Sequence, residues 1–158
     1  MKAAVHTRYG PPDVVRILEV EKPTAKDNEL LVKVHATTVN RTDCGYRSAK
    51  PFISRFFTGL VRPRATVLGN EFAGQVEAVG SGVTSFAVGD RVFGFTGLRS
   101  GAHAEYLVIP EDGSLATIPA GLTYEEAAPS TEGSHYALSH IKAAGRSCSP
   151  FRSLTRRR

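Results

Sequence analysis

A chain of 158 residues, 41% hydrophobic and 22% charged, with a mean hydropathy of -0.16, has room for one core and is too short for two or three full domains. The balance excludes a collagen-like or intrinsically disordered chain. The net charge of +5 does not mark a nucleic-acid surface, because five arginines fall between Arg146 and Arg158 with no acidic residue among them, leaving fifteen basic against fifteen acidic residues elsewhere.

Cys44 and Cys148 lie far apart and form neither a disulfide framework nor a C-x-x-C knuckle, which points to a reducing compartment. Met1 to His6 lacks the apolar stretch of a signal peptide, and no run approaches the roughly 18 apolar residues of a membrane span. The expectation is a cytoplasmic chain with no membrane partner.

From Met1 to Ile118 short strands alternate with turn residues, the pattern of a mainly β barrel or sandwich. Leu30 to Val39 is the longest predicted strand, with Val32, Val34, Ala36 and Thr38 on one face. A helical turn is predicted from Thr42 to Ser48, where Asn40 and Asp43 are residue types that cap helices. Phe72 to Val79 alternates again, Phe72, Val76 and Ala78 against Gln75 and Glu77. Gly80-Ser81-Gly82, Gly89, Gly94 and Gly97 read as turns and barrel corners, with Gly80 to Gly82 a hairpin turn. His103 to Pro110 is a further strand, closed by turn chemistry through Gly113.

After Pro119 the period changes. Thr123 and Glu126 form a capping box for a short helix that Pro129 interrupts. A second helix is predicted from Thr131 to Ala144, with Ala137, Leu138, Ile141 and Ala144 on one stripe and Gly145 as its stop. That stripe needs a partner surface. The Ser/Arg tail from Arg146 to Arg158 has no periodicity and is expected to be disordered.

The segment Gly69-Asn70-Glu71-Phe72-Ala73-Gly74 through Gly80, with Val83 and Gly89-Asp90-Arg91-Val92, resembles the N-terminal, chaperonin-10-like (GroES-like) catalytic domain of medium-chain dehydrogenases/reductases. Met1-Lys2-Ala3 with Gly10-Pro11-Pro12, Asn40 to Arg47, and Leu115 to Pro119 look like the same family, in the same order. The resemblance implies a partly open β-barrel with short helices. It implies a catalytic domain over residues 1–129, a helix over 130–145 that would lead into a cofactor domain, and an unrelated basic tail over 146–158.

In the zinc branch of that family a Cys after the long strand and a His just before the motif's Glu hold the metal. Asn40 and Asn70 stand at those positions, and a neutral amide supplies neither the thiolate nor the imidazole that zinc selects. The chain therefore looks like the zinc-free quinone or enal reductase branch, with no metal ligands expected. Without a Lewis acid, the acceptor must spread its own charge, as quinones and α,β-unsaturated carbonyls do when hydride leaves an enolate or hydroquinone anion.

By resemblance Asn40, Asp43 and Tyr46 are the catalytic candidates, Tyr46 as a donor to the developing oxyanion; for Asn40 and Asp43 plain capping is an equal reading, and for Tyr46 a half-buried aromatic with a wet hydroxyl. Asn40, Thr131, Gly133 and Ser134 are the cofactor-binding candidates, the last three also readable as a capping loop. Arg41 and Arg47 could meet cofactor phosphates or be solvated surface, and His135 and His140, five apart, are not a metal pair. Glu71 is expected to pair with an arginine.

The family binds NADPH on a second, doubly wound domain whose Gly-rich turn opens a helix, and this sequence contains no such turn. The expectation is a truncated catalytic domain without turnover or NADPH binding of its own, by a frame change near residue 145 or a shortened gene. Full-length relatives could be homodimers. Two other readings are a stand-alone β-module that binds a protein partner through its last helix, and an acidic-surface or nucleic-acid binder acting through the Arg tail, the latter disfavoured by the neutral body.

Overall fold

The computed structural model describes residues 1–143. In chain order the strands are β1 (Lys2–Val5), β2 (Arg16–Glu19), β3 (Glu29–Thr37), β4 (Glu71–Val79), β5 (Arg91–Phe95), β6 (Tyr106–Pro110) and β7 (Ser114–Thr117). The helices are α1 (Arg41–Ser48), α2 (Arg55–Thr58), α3 (Tyr124–Ala127) and α4 (Glu132–Ala143). Five strands form one sheet in the order β6-β3-β4-β5-β7, every neighbour antiparallel, while β1 and β2 form a hairpin tied to it by bridges from Ala3 to Ala104 and Val5 to Val67. The register of β3 on β4 shifts between Leu31 and Val32 and again between Val34 and Ala36. Such irregularities add local twist and curl the sheet into a partly open barrel.

The alternation read in β3 and β4 is the pattern that fills this barrel. Leu30, Val32, Phe72, Val76 and Val92 are at most 1% exposed and pack with Leu107 and Ile109. Burial of each large aliphatic or aromatic side chain contributes about 1.5–3 kcal/mol. A second, smaller cluster of Ala73, Ile118, Ala127 and Ala128 seats α3 on the opposite face of the sheet. The α3 capping box forms as the sequence indicates, Thr123 Oγ1 accepting from the Glu126 backbone N–H and Glu126 accepting from Thr123 N–H.

Three expectations change. Gly94 is not a corner: it lies inside β5, paired with Leu115, where a Cβ would stand 2.5 Å from the Ser114 carbonyl oxygen. Gly80 to Gly82 turn the chain but close no tight hairpin, since β5 begins only at Arg91; Gly80 N–H donates to Glu29 O and Gly82 N–H to Asp27 O. His103 precedes its strand, because its backbone N–H goes to Leu68 O and its ring to Thr38 O.

Beyond Glu132, α4 is exposed over most of its length. On the predicted stripe Ala137 is exposed, Leu138 is 44% exposed and Ile141 is half-buried. Ala144, Gly145 and the tail from Arg146 lie outside the described residues.

Candidate active site

The end of β3 delivers Asn40 in an extended conformation, φ -119° and ψ -176°, at the start of α1. Asn40 Oδ1 accepts the Asp43 backbone N–H at 3.1 Å while Asp43 Oδ2 accepts the Asn40 N–H at 3.0 Å, a reciprocal capping box. The other Asp43 oxygen accepts from Asn70 Nδ2 at 3.1 Å, and Asn70 Oδ1 lies 3.5 Å from the Ser100 hydroxyl. Asp43 is 2% exposed and Asn70 fully buried. Burial pushes the Asp43 carboxyl upward, opposed by the Asn40 N–H and by His103, whose Nε2 stands 3.9 Å away and donates to Thr38 O.

Glu71 opens β4 beside this chain of amides. The expected arginine partner is replaced by four neutral donors: Oε1 accepts from Thr131 Oγ1 at 2.8 Å and the Glu132 backbone N–H at 2.7 Å, and Oε2 from Thr38 Oγ1 at 2.5 Å and Asn40 Nδ2 at 3.3 Å. Burial would raise its pKa, but these hydrogen bonds outweigh it and hold the carboxyl below the ordinary glutamate range. Because one of the donors is the first residue of α4, the carboxylate also meets the positive end of that helix.

These two helix starts form the walls of a cleft of about 720 Å³, lined by Asn40, Arg41, Thr42, Glu71, Glu132, Gly133 and Tyr136 among others. Thr42 Oγ1 donates to Glu132 across it. Sequence reasoning missed Thr42, Glu132 and Tyr136, since nothing local marks a hydroxyl that meets a carboxylate ninety residues on.

The predicted residues divide. Asn40 and Gly133 line the cleft. Asp43 does not, and its oxygens are spent on Asn40 and Asn70, so its position is that of a buried scaffold. Tyr46 lines a neighbouring cavity of about 300 Å³ with His6, Phe57, Arg64 and Ser100. Burial raises the Tyr46 phenol pKa, and Tyr136, Glu132 and Asp43 push the same way. Thr131 holds Glu71 instead of capping α4, and Ser134 is exposed outside the cleft lining. Arg41 is an exposed part of the cleft lining, whereas Arg47 donates to Gly10 O. Among the described residues no group of three His, Cys, Asp or Glu side chains is arranged to hold a metal ion.

A curled, partly open antiparallel barrel with short helices packed on it is the architecture of the GroES-like class. Residues 26–120 match the family described as the alcohol dehydrogenase GroES-like domain, and the chain belongs to that family. It is 37% identical over 126 residues to a quinone oxidoreductase of Sus scrofa, covering 77% of this chain and 34% of that protein. A quinone oxidoreductase of Pseudomonas aeruginosa is 38% identical over 120 residues, with 76% and 34% covered. Among solved structures, the quinone oxidoreductase from Coxiella burnetii superposes with a TM-score of 0.81 at 28% identity, over 92% of this chain and 45% of that one. The Escherichia coli quinone oxidoreductase complexed with NADPH gives 0.77 at 27% identity, over 91% and 41%. These likenesses put the chain on the quinone oxidoreductase-like branch of the medium-chain dehydrogenases/reductases. The chain spans about a third of the length of the curated relatives it matches.

Proposed function

We propose that residues 1–129 are the substrate-side catalytic domain of a zinc-independent, NADPH-dependent reductase of quinones or α,β-unsaturated carbonyls, with the helix from residue 130 running toward a cofactor domain. The observation that carries this reading is the condition of the two amides: Asn40 and Asn70, at the positions where the zinc branch places ligands, are committed to Glu71, Asp43 and Ser100. Amides so engaged offer no thiolate or imidazole to zinc.

The described residues fit only part of the cofactor. The cleft beside Asn40, Thr42 and Gly133 has room for a nicotinamide ring between walls that mix apolar surface with a few polar groups, but no Gly-rich strand-to-helix turn among the described residues would cradle a pyrophosphate. When bound, the cofactor supplies hydride. This chain's part is to orient the acceptor and hold the charge that develops on its oxygen. Tyr46 is the donor of choice for that oxyanion, since its phenol lines the cavity next to Ser100, and Asn40 keeps the wall rigid through Glu71.

The test is an assay of the chain joined after residue 143 to the cofactor domain of the Coxiella burnetii relative. NADPH should be oxidised with a naphthoquinone or an enal and not with a saturated aldehyde, and Tyr46→Phe should lower the rate about tenfold to a hundredfold. Equal rates with the saturated aldehyde contradict the reading. Alone, the chain should leave nicotinamide fluorescence unchanged at millimolar NADPH.

A further inference from the structure

Between α1 and β4, Leu68 joins the core and Phe57 and Arg64 edge the Tyr46 cavity, but most of the apolar side chains from Phe52 to Val61 serve neither. The segment contains a 3₁₀ turn (Phe52–Ser54) followed by α2, and it exposes Phe52, Ile53, Phe56, Phe57, Leu60 and Val61 at 56–80% of their surface. Scattered apolar side chains on a surface are ordinary, but six within ten positions make a contiguous patch of the kind that marks a binding face. Tyr9 fixes the segment in this posture: its hydroxyl meets Thr58 Oγ1 at 2.9 Å and Gly59 O at 2.6 Å, and Gly59 adopts φ +126° with Arg62 O where a Cβ would be. The outward stance of the phenylalanines is therefore built in.

Charge selects the occupant. No Asp or Glu occurs between Asp43 and Glu71, while Arg47, Lys50, Arg55, Arg62 and Arg64 do. Lys50, Arg62 and Arg64, which flank the apolar run in sequence, are exposed. Arg55 lies 5.0 Å from the Tyr9 ring centre and 5.1 Å from that of Phe52; it has no carboxylate partner among the described residues, and its Nε is buried without an acceptor. A second copy of the chain would bring cations against cations. A peptide groove would half-bury its walls, whereas these side chains stand out into solvent. We propose that residues 50–64 form an interfacial anchor that inserts its apolar side chains at the surface of an anionic lipid bilayer, the arginines and Lys50 resting on the headgroups. No helix of the described residues is long and apolar enough to cross a membrane, and peripheral attachment needs none.

The chain contains no Trp, so Phe57→Trp supplies a single reporter on the full 158 residues. With vesicles of phosphatidylcholine containing about 30% phosphatidylserine, its emission should shift to the blue and the chain should co-sediment, less so on pure phosphatidylcholine and less at high salt. Phe56→Ser with Phe57→Ser, and separately Arg62→Glu with Arg64→Glu, should each weaken co-sedimentation at least about tenfold with an unchanged circular dichroism spectrum. Ile17→Ser with Leu18→Ser, exposed elsewhere on β2, should leave it intact. If the first variant loses its fold, the charge variant and the salt series decide alone. No blue shift, or binding that survives both segment variants and so resides in the arginine tail, overturns the proposal. So does a shift that follows protein concentration without vesicles, which would make the patch a self-association face.

Discussion

The Glu71 carboxylate accepts the backbone N–H of Glu132 at 2.7 Å, so the first residue of a central strand holds the first residue of the last helix across sixty-one positions of sequence. The same side chain takes three further donors from Thr38, Asn40 and Thr131, and it thereby fixes both walls of the cleft at one point.

Glu71→Gln should therefore destabilise the fold by about 1–3 kcal/mol, because an amide nitrogen replaces one acceptor oxygen and faces donors it cannot satisfy. The difference has a pH signature. With a folded pKa below its ordinary 4.5, Glu71 contributes stability that is complete above that value and is lost as pH falls through the folded pKa. Urea denaturation of both proteins should give a gap that is constant from pH 7 to 5 and shrinks below about 4.5. A gap that widens on acidification would contradict the assignment.

His6 carries the opposite chemistry to the same side of the pH scale. It is 2% exposed, its Nδ1–H donates to Thr66 O at 3.1 Å, and Nε2 is buried without a partner among the described residues. Burial lowers its pKa from 6.5, with Arg47 adding to the effect and the Thr66 bond opposing it. A folded pKa below the unfolded one means that stability is complete above 6.5 and is lost as pH falls from there toward the folded value. His6→Gln should remove that loss, seen as a flatter melting temperature between pH 7 and 5; an unchanged slope would place the titration elsewhere.

What the sequence made legible were the features written within a few neighbouring residues. The period of two in Leu30 to Ala36 and Phe72 to Val76 identified the core faces, and the caps at Asn40, Asp43, Thr123 and Glu126 act over three positions. The partners of Glu71 come from thirty-one to sixty-one residues away, and only the folded sheet brings them together. Phe52 to Thr58 escaped notice because two short helical turns exposed to solvent impose neither a period of two nor a buried stripe. Gly94 misled because a glycine inside a strand and a glycine in a turn look alike until the opposing backbone is known.

Gly94→Val tests that last correction. The new Cβ would meet the Ser114 oxygen at 2.5 Å and Leu115 Cα at 3.0 Å, both backbone-linked positions that cannot rotate away. Prying β5 from β7 should cost about 1–3 kcal/mol or more. A fully stable variant with unaltered amide exchange in β7 would show that the two strands are not so closely apposed.

The engaged amides at Asn40 and Asn70 make a prediction for metal content. Chain purified without chelator should contain zinc far below one atom per molecule, and EDTA should leave its melting temperature unchanged. Stoichiometric zinc that resists dialysis would reverse the branch assignment.

The most direct test of the proposed site is an amide NMR titration, with NADPH and a naphthoquinone, of the chain joined after residue 143 to the cofactor domain of the Coxiella burnetii relative. Within residues 1–143 the account predicts shifts that cluster on Asn40, Thr42, Gly133 and Tyr136 for the nucleotide and extend to Tyr46 for the quinone. Saturating shifts there confined to residues outside both cavities, or no shifts there at millimolar ligand, would contradict it.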